Sequence, residues 1–180
     1  MRGELDFEAA LRERVSLLAG LPETIFSKIA DKIHFTPGAK KLVDELHARG
    51  YKVGLVSGGF HELIDPIAQS LGIDLVQANR LELADGRLTG KVLGEIVTPE
   101  KKKETLLTWA REFHVEACQT IAIGDGANDL PMIKTAGIGI AFMAKPIVSR
   151  LAPYRIETRD LRLVFEILDK HGKETRCIFY

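Results

Sequence analysis

The stretch Thr120-Ile121-Ala122-Ile123-Gly124-Asp125-Gly126-Ala127-Asn128-Asp129 decides how this chain is interpreted. Its first four residues are mostly apolar and predict a short buried strand. The next six contain two acids, an amide and two glycines, placed where that strand would end. Carboxylate oxygens are the ligands that Mg²⁺ prefers, and glycines let a phosphate approach the backbone closely. A loop with ordinary turn and cap residues is the alternative, and it explains this concentration of polar groups less well.

Strands and helices are predicted to alternate from residue 36 onward. The apolar run at 51–56 predicts a buried parallel strand, and further strands are expected at 120–123, 138–142 and 154–156, with helices between them. This pattern predicts an α/β fold, in which a parallel sheet lies between helices. Ligands of such folds bind at the carboxyl ends of the strands.

The chain is divided into three parts. Residues 1–35 read as two helices without a preceding strand and are interpreted as a portion of a helical cap. Residues 36–172 form the predicted core, in which the Asp-Gly pair of Ala84-Asp85-Gly86-Arg87 indicates a β-hairpin. The tail at 173–180 has no assigned role, and an added strand, an interface segment and a frayed end all stay open.

Composition limits the class of protein. The 180 residues are 46% hydrophobic and carry 25 basic and 25 acidic side chains, which suits one domain and favours neither nucleic acid nor a membrane as partner. Cys118 and Cys177 form no CxxC pair, and there is no apolar run of about 18 residues. We therefore expect a cytoplasmic protein, and a homodimer stays open.

Two other predicted boundaries carry polar residues. Ser57-Gly58-Gly59 follows the strand at 51–56, and its hydroxyl and backbone N–H can hold a phosphoryl oxygen. A serine cap on a glycine turn explains the same residues and is favoured when they are taken alone. Lys101-Lys102-Lys103 opens a helix, where lysines oppose the helix dipole. One of them is interpreted as neutralising a phosphate or pairing with a carboxylate, and the other two as a solvated basic patch.

Together these elements resemble the phosphoserine phosphatases of the haloacid dehalogenase superfamily, over residues 1 to about 169. Gly-Asp-Gly-x-Asn-Asp is shared across that superfamily, whereas Ser-Gly-Gly-Phe and Ala-Lys-Pro indicate this branch. The stretches that carry the resemblance are Val56-Ser57-Gly58-Gly59-Phe60, Ala78-Asn79-Arg80-Leu81, Gly124-Asp125-Gly126-Ala127-Asn128-Asp129-Leu130-Pro131-Met132 and Ala144-Lys145-Pro146.

The resemblance implies a Rossmannoid sheet with a small helical cap and a Mg²⁺-dependent hydrolysis of O-phosphoserine, the last step of serine biosynthesis. The phosphoryl group would pass through an aspartyl-phosphate. By the same resemblance, Ser57, the N–H of Gly58, Lys102 and Asn128 contact the phosphate of this small phosphomonoester.

The resemblance also implies roles for two acids and one arginine. Asp125 becomes the Mg²⁺ ligand, and Asp129 becomes an acid that orients Lys102 or a metal-bound water. Arg14 corresponds to a cap arginine that grips the substrate carboxylate, for which a guanidinium is well suited. A surface arginine, like Arg12 two residues earlier, is the alternative that the residues alone leave open.

One departure from the family pattern matters. The sequence contains no Asp-x-Asp, whereas the family carries its nucleophile and acid in an Asp-x-Asp-x-Thr motif after its first strand. We therefore expect an N-terminally truncated chain that lacks the first core strand and is inactive alone. Another phosphomonoesterase or phosphotransferase of the superfamily, and a non-catalytic phosphate-binding protein, stay open as alternatives.

Overall fold

A computed structural model describes residues 2–30, 32–171 and 177–179. Its helices are α1 (Arg2–Ser16), α2 (Ile25–Ala30), α3 (Ala39–Ala48), α4 (His61–Leu71), α5 (Pro99–Glu112), α6 (Leu130–Thr135), α7 (Pro146–Leu151) and α8 (Val164–His171). Its strands are β1 (Lys52–Phe60), β2 (Leu75–Ala84), β3 (Arg87–Leu93), β4 (Thr120–Gly124), β5 (Ile138–Phe142), β6 (Tyr154–Ile156) and β7 (Cys177–Phe179). Across these residues, no helix has the length and apolar character that crossing a bilayer requires.

The strands form one sheet in the order β3-β2-β1-β7-β4-β5-β6. All neighbouring pairs are parallel except β2 and β3, which are antiparallel. Helices pack on both faces, so the predicted α/β class with a parallel sheet is confirmed. The carboxyl ends of β1 and β4 consequently lie on the same side of the sheet, where the polar residues of the sequence were expected.

Strand β4 lies in the centre of the core. All five of its residues are buried. Ile121 and Ile123 pack in a cluster with α3 and α8, whereas Ala122 packs in a second cluster with α5 and α6. Successive side chains of a strand point to opposite faces of the sheet, so the apolar run contributes to both clusters.

Strand β1 is longer than predicted. It continues through Phe60, but its register against β2 is irregular between Val56 and Phe60. Ser57-Gly58-Gly59 therefore lies inside the strand, at the place where its regular pairing is interrupted, and not after its end. Within this segment, the Gly58 carbonyl accepts a hydrogen bond from the side chain of Asn79 in β2.

The hairpin has the predicted turn. Ala84 pairs with Arg87, and Asp85 and Gly86 both have positive φ values, 50° and 70°. Positive φ at both central residues is the requirement of a tight type I′ turn, which Asp-Gly meets at low cost. The hairpin and α1 share a third apolar cluster, which includes Val15, Leu81 and Leu88. The boundary at residue 35 between cap and core stays a prediction.

Part of the tail forms a central strand, and an added strand was one of the three alternatives that the sequence left open. Residues 177–179 make up β7, which pairs in parallel with β1 on one side and β4 on the other. The position expected to lack a strand is thus occupied by the far end of the chain. The remainder of the 173–180 tail, and residue 172, lie outside the described residues.

The Asp74 carboxylate forms hydrogen bonds with the first residues of β1. Asp74 accepts hydrogen bonds from the Lys52 ammonium at 2.8 Å and the Val53 N–H at 2.9 Å, and it contacts Nε2 of His47 at 2.8 Å. Burial acts to raise the pKa of Asp74. The hydrogen bonds from Lys52, Val53 and His47 outweigh it, so the pKa lies below its ordinary value of 3.8.

Replacing Asp74 with asparagine is expected to lower the free energy of unfolding by about 1–2 kcal/mol at pH 7. A carboxylate with a depressed pKa stabilises the fold above its ordinary pKa, and this contribution is lost as the pH falls through the folded value. The difference between the two proteins should therefore shrink below pH 3.8. Urea unfolding at pH 7 and in acid measures it, with exposed Asp44→Asn as control. A difference that grows on acidification would contradict the assignment.

Candidate active site

A buried ion pair joins α5 to the loop after β4. The Lys102 ammonium lies 2.6 Å from Oδ1 of Asp129, and these residues are only 7% and 4% exposed. The other oxygen of Asp129 accepts from the backbone N–H groups of Asp125 and Gly126 at 3.1 and 3.0 Å. A single carboxylate thus holds the lysine and fixes the backbone next to Asp125.

The helix start decides which lysine of the run points inward. Thr98 caps α5 by accepting from the Lys101 N–H at 3.1 Å. Lys101 then pairs with Glu95 at the surface, and Lys103 is exposed. Lys102 is left on the face that carries the buried residues of α5, so the burial of its charge follows from the helical repeat.

The two glycines of the loop make room for the chain's own side chains. A Cβ on Gly124 would lie 2.5 Å from Cβ of Asp129, and a Cβ on Gly126 would lie 2.1 Å from Oδ1 of Asn128. From the sequence, these glycines are expected to let a phosphate approach the backbone. In the structure the close approach is made by Asp129 and Asn128, which fold back over the loop.

Replacing Gly124 with alanine is expected to destabilise the protein by about 1–3 kcal/mol, because the added methyl group forces Asp129 away from its backbone donors. Gly58→Ala is the matched control, since a Cβ there meets nothing within 4 Å. Urea unfolding of both variants measures the effect. Equal stability of the two variants would show that the loop relaxes freely around Asp129.

A cavity of about 280 Å³ lies at the carboxyl ends of β1 and β4. It is lined by four of the predicted site residues, Ser57, Lys102, Asp125 and Asp129, together with apolar residues of α4. Gly58 is adjacent to Ser57 in β1. The cavity brings a hydroxyl, a cation and two acids together at the predicted edge of the sheet.

Three predicted residues, Gly58, Arg14 and Asn128, do not line this cavity. Arg14 is exposed in the last turn of α1. Asn128 is half-buried in the 3-10 turn Ala127–Asp129, with its Oδ1 turned toward Gly126. Their proposed contacts with substrate therefore stay predictions.

Asn79 has a structural role at the site that is not predicted from the sequence. Its side chain is almost completely buried, donates to the Gly58 carbonyl at 2.9 Å and accepts from the Val97 N–H at 2.8 Å. It therefore ties the interrupted part of β1 to the segment that leads into α5. The signal was an amide side chain next to apolar residues in a predicted strand, because a buried amide requires partners.

The carboxylates differ in their capacity for a metal ion. Asp129 is committed to Lys102 and two backbone N–H groups, whereas Asp125 is exposed at the cavity. The described residues contain no group of three or more His, Cys, Asp or Glu side chains arranged for a metal. Mg²⁺ is commonly held by one or two carboxylates together with substrate phosphate and water. Asp125 fits such a partly substrate-held cation.

Comparison with known proteins identifies the family of this chain. Residues 1–134 match the family of haloacid dehalogenase-like hydrolases. The chain is 65% identical over 173 residues to the phosphoserine phosphatase of Streptococcus thermophilus, covering 96% of this chain and 80% of that protein.

Two solved structures are similar in fold. One is a probable phosphoserine phosphatase from Vibrio cholerae in its unliganded form, with a TM-score of 0.89, 45% identity and coverage of 94% of this chain and 52% of that one. The other is a phospho-aspartyl intermediate analogue of phosphoserine phosphatase, with a TM-score of 0.85, 46% identity and coverage of 93% and 80%.

The fold and the site define a hydrolase with a Rossmannoid sheet and a polar cavity at its carboxyl edge. The chain belongs to the haloacid dehalogenase-like hydrolases, within the branch of the phosphoserine phosphatases. Phosphatases of this family are generally metal-dependent.

Proposed function

We propose that this chain forms the phosphate and metal site of a Mg²⁺-dependent phosphoserine phosphatase, which hydrolyses O-phosphoserine to serine and phosphate. The observation that carries the proposal is the buried Lys102–Asp129 pair beside the exposed Asp125 at the carboxyl edge of the sheet. The high identity to curated phosphoserine phosphatases supports the substrate class.

Lys102 and Ser57 are suited to bind the phosphoryl group. Asp129 accepts one of the three N–H bonds of the Lys102 ammonium, which leaves two for phosphoryl oxygens. Burial strengthens these charge-assisted contacts where negative charge develops during transfer. The Ser57 hydroxyl and the Gly58 N–H extend the same pocket from β1, and Asn79 holds that segment through the Gly58 carbonyl.

Asp125 would hold the cation. When bound, Mg²⁺ supplies charge neutralisation for the transferring phosphoryl group. Asp129 positions both groups, because its carboxylate accepts a hydrogen bond from the Asp125 N–H and another from the Lys102 ammonium. The Asp129 carboxylate thus links the Lys102 ammonium to the backbone of Asp125.

The phosphoryl acceptor is not among these residues. One similar structure is an analogue of a phospho-aspartyl intermediate, which supports an aspartate acceptor in the reaction. The sequence contains no Asp-x-Asp, so we predict that the 180-residue polypeptide alone does not turn over phosphoserine.

The test joins to Met1 a segment with an apolar strand that ends in Asp-x-Asp-x-Thr, the motif that the family resemblance implies. We expect Mg²⁺-dependent release of phosphate from O-phosphoserine by the joined protein and none by the 180-residue polypeptide. Absence of turnover by a folded joined protein would contradict the proposed function. Turnover by the polypeptide alone would contradict an acceptor from an Asp-x-Asp motif.

Arg14 is proposed to select the substrate carboxylate. In the joined protein, Arg14→Met should raise KM for phosphoserine but not for phosphoethanolamine, which has no carboxylate. Arg12→Met is the control, because Arg12 is an exposed residue of the same helix. Equal effects of Arg14→Met on the two substrates would contradict the assignment.

A cytoplasmic location is part of the proposal, since two cysteines without a CxxC pair suit a reducing compartment.

A further inference from the structure

Strand β1 has two more residues than β2 in the part where their pairing is interrupted. Val56 lies opposite Gln77 and Phe60 lies opposite Asn79, so the segment 57–59 of β1 cannot follow the regular ladder. Backbone groups that leave a ladder and stay partly buried need other hydrogen-bond partners. In this segment, side chains supply them.

One peptide unit of the segment makes hydrogen bonds at both of its ends. Its carbonyl, which belongs to Gly58, accepts from the side-chain amide of Asn79 at 2.9 Å. Its N–H, which belongs to Gly59, donates to Oγ of Ser57 at 3.0 Å. The Asn79 amide therefore holds the plane of this peptide, and the peptide in turn holds the Ser57 hydroxyl.

The hydrogen bond from Gly59 decides which role the Ser57 hydroxyl plays. A hydroxyl has one proton to donate and two lone pairs with which to accept. Because a lone pair of Oγ receives the Gly59 N–H, the hydroxyl proton is directed elsewhere and is available to a ligand in the cavity that Ser57 lines. A phosphoryl oxygen can only accept, so the hydroxyl meets it in the matching role of donor.

The surroundings of Asn79 fix the orientation of its amide. The Gly58 carbonyl can only accept and the Val97 N–H can only donate, so the amide presents its NH₂ to β1 and its oxygen to Val97, at 2.9 and 2.8 Å. Asn79 is only 1% exposed, so water does not compete for either bond. Val97 directly precedes Thr98, the cap of α5, and this anchor is therefore continuous with the helix that carries Lys102.

We propose that Asn79 is a positioning residue for phosphate binding, which acts through the Gly58–Gly59 peptide to present the Ser57 hydroxyl as a donor. We call this chain of hydrogen bonds the Asn79 relay; it begins at the Val97 N–H and ends on a phosphoryl oxygen. Hydrogen bonds in such a chain polarise one another, so donation by Ser57 to an anion strengthens the bond that it accepts from Gly59. The identity of the anion rests on the proposed function.

Asn79→Asp tests the donor end of the amide. A carboxylate has a similar shape and still accepts from the Val97 N–H, but it repels the Gly58 carbonyl. In the joined protein, we expect KM for phosphoserine to rise about tenfold, because a hydrogen bond to a charged group loses its orientation. The turnover number should change by no more than about twofold, because the contact is made in the ground state and in the transition state alike.

Thr120→Val is the matched control for lost stability. It removes another buried hydrogen bond, from the Thr120 hydroxyl to the Ala117 carbonyl, at the end of β4 that is remote from the cavity. This variant should be less stable than the unsubstituted protein but keep its KM. An unchanged KM in folded Asn79→Asp, or an equal rise in Thr120→Val, would overturn the proposal.

A double substitution tests whether Asn79 acts through Ser57. Ser57→Ala removes the last group of the Asn79 relay, so the further substitution Asn79→Asp should raise KM by less than about twofold more. If Asn79 only stabilises the fold, the two effects on KM should multiply. Multiplied effects would overturn the proposal, even if each substitution alone weakens binding.

Hydrogen exchange at the Gly59 amide gives a test that needs no Asn79 variant, in case Asn79→Asp does not fold. Inorganic phosphate with Mg²⁺, added to the unaltered 180-residue chain, should slow this exchange about threefold when followed by NMR. The slowing should be absent in Ser57→Ala. Slowing that persists in Ser57→Ala would mean that the Gly59 N–H contacts phosphate directly, and it would overturn the proposal, as would unchanged exchange in the unaltered chain.

Two results separate this proposal from the proposed function. Hydrolysis of phosphoserine by the joined protein, with an unchanged KM in Asn79→Asp, would contradict the Asn79 relay alone. Slowing of exchange at Gly59 that depends on Ser57, without hydrolysis by the joined protein, would contradict the proposed function and leave the Asn79 relay supported.

Discussion

Replacement of Lys102 by methionine is expected to lower the free energy of unfolding by about 3 kcal/mol. The substitution shortens the unbranched side chain by one atom and removes the charge 2.6 Å from Oδ1 of Asp129. Asp129 is buried, so its carboxylate would lose its counter-ion without gaining water. The two backbone N–H donors of Asp125 and Gly126 remain, which keeps the expected loss at the lower end for a broken buried pair.

Urea unfolding at pH 7 measures the effect, and Lys103→Met is the matched control. Lys103 is the next residue of α5 and is exposed, so its substitution should change stability by no more than about 0.5 kcal/mol. Equal free energies of unfolding for the two variants would mean that the Lys102–Asp129 ion pair does not stabilise the fold.

A double substitution separates charge from packing. Asp129→Asn keeps an oxygen for the two backbone N–H groups but carries no charge. Combined with Lys102→Met, it should recover about 1–2 kcal/mol relative to Lys102→Met alone, because no unpaired charge stays buried. Additive losses in the double variant would mean that Lys102 stabilises α5 through packing alone.

The position of Lys102 was predictable from the helical repeat. The buried residues of α5 are Lys102, Thr105, Leu106, Trp109 and Ala110, which recur at the spacing of one helix face. The resemblance selected this lysine, and the repeat selects it independently. The strand before Gly124 was predictable for a similar reason, since a short apolar run before a polar loop is typical of a central parallel strand.

The rest of the site depends on contacts that no local pattern reveals. Asn79 bonds to Gly58 and Val97, which lie 21 and 18 residues away in the chain. Strand β7 has three residues, and its partners in β1 and β4 are far away in sequence. A short apolar run at a chain end fits a strand, an interface and a frayed end equally well. Only the positions of the two flanking strands decide between them.

In the joined protein that is expected to hydrolyse phosphoserine, Asp125→Asn should lower turnover by about 10³-fold. Asparagine preserves the shape of the side chain but removes the negative charge that would hold the cation. Asp125 is exposed and its backbone N–H, not its side chain, is bonded to Asp129. Stability should therefore change by no more than about 0.5 kcal/mol.

Two measurements make this prediction specific to the cation. Mg²⁺ should raise the thermal unfolding midpoint of the unsubstituted protein, because a ligand that binds only the folded state stabilises it, and this rise should be lost in Asp125→Asn. Asp85→Asn is the control, since Asp85 lies in the hairpin turn and asparagine tolerates its positive φ. Lost turnover with an unchanged response to Mg²⁺ would assign Asp125 to the substrate and not to the cation. Lost turnover with a matching loss of stability would make Asp125 a support of the loop. A metal ligand should show lost turnover, a lost response to Mg²⁺ and retained stability. The Asp125 carboxylate would then act on the bound cation and not on the fold of the chain.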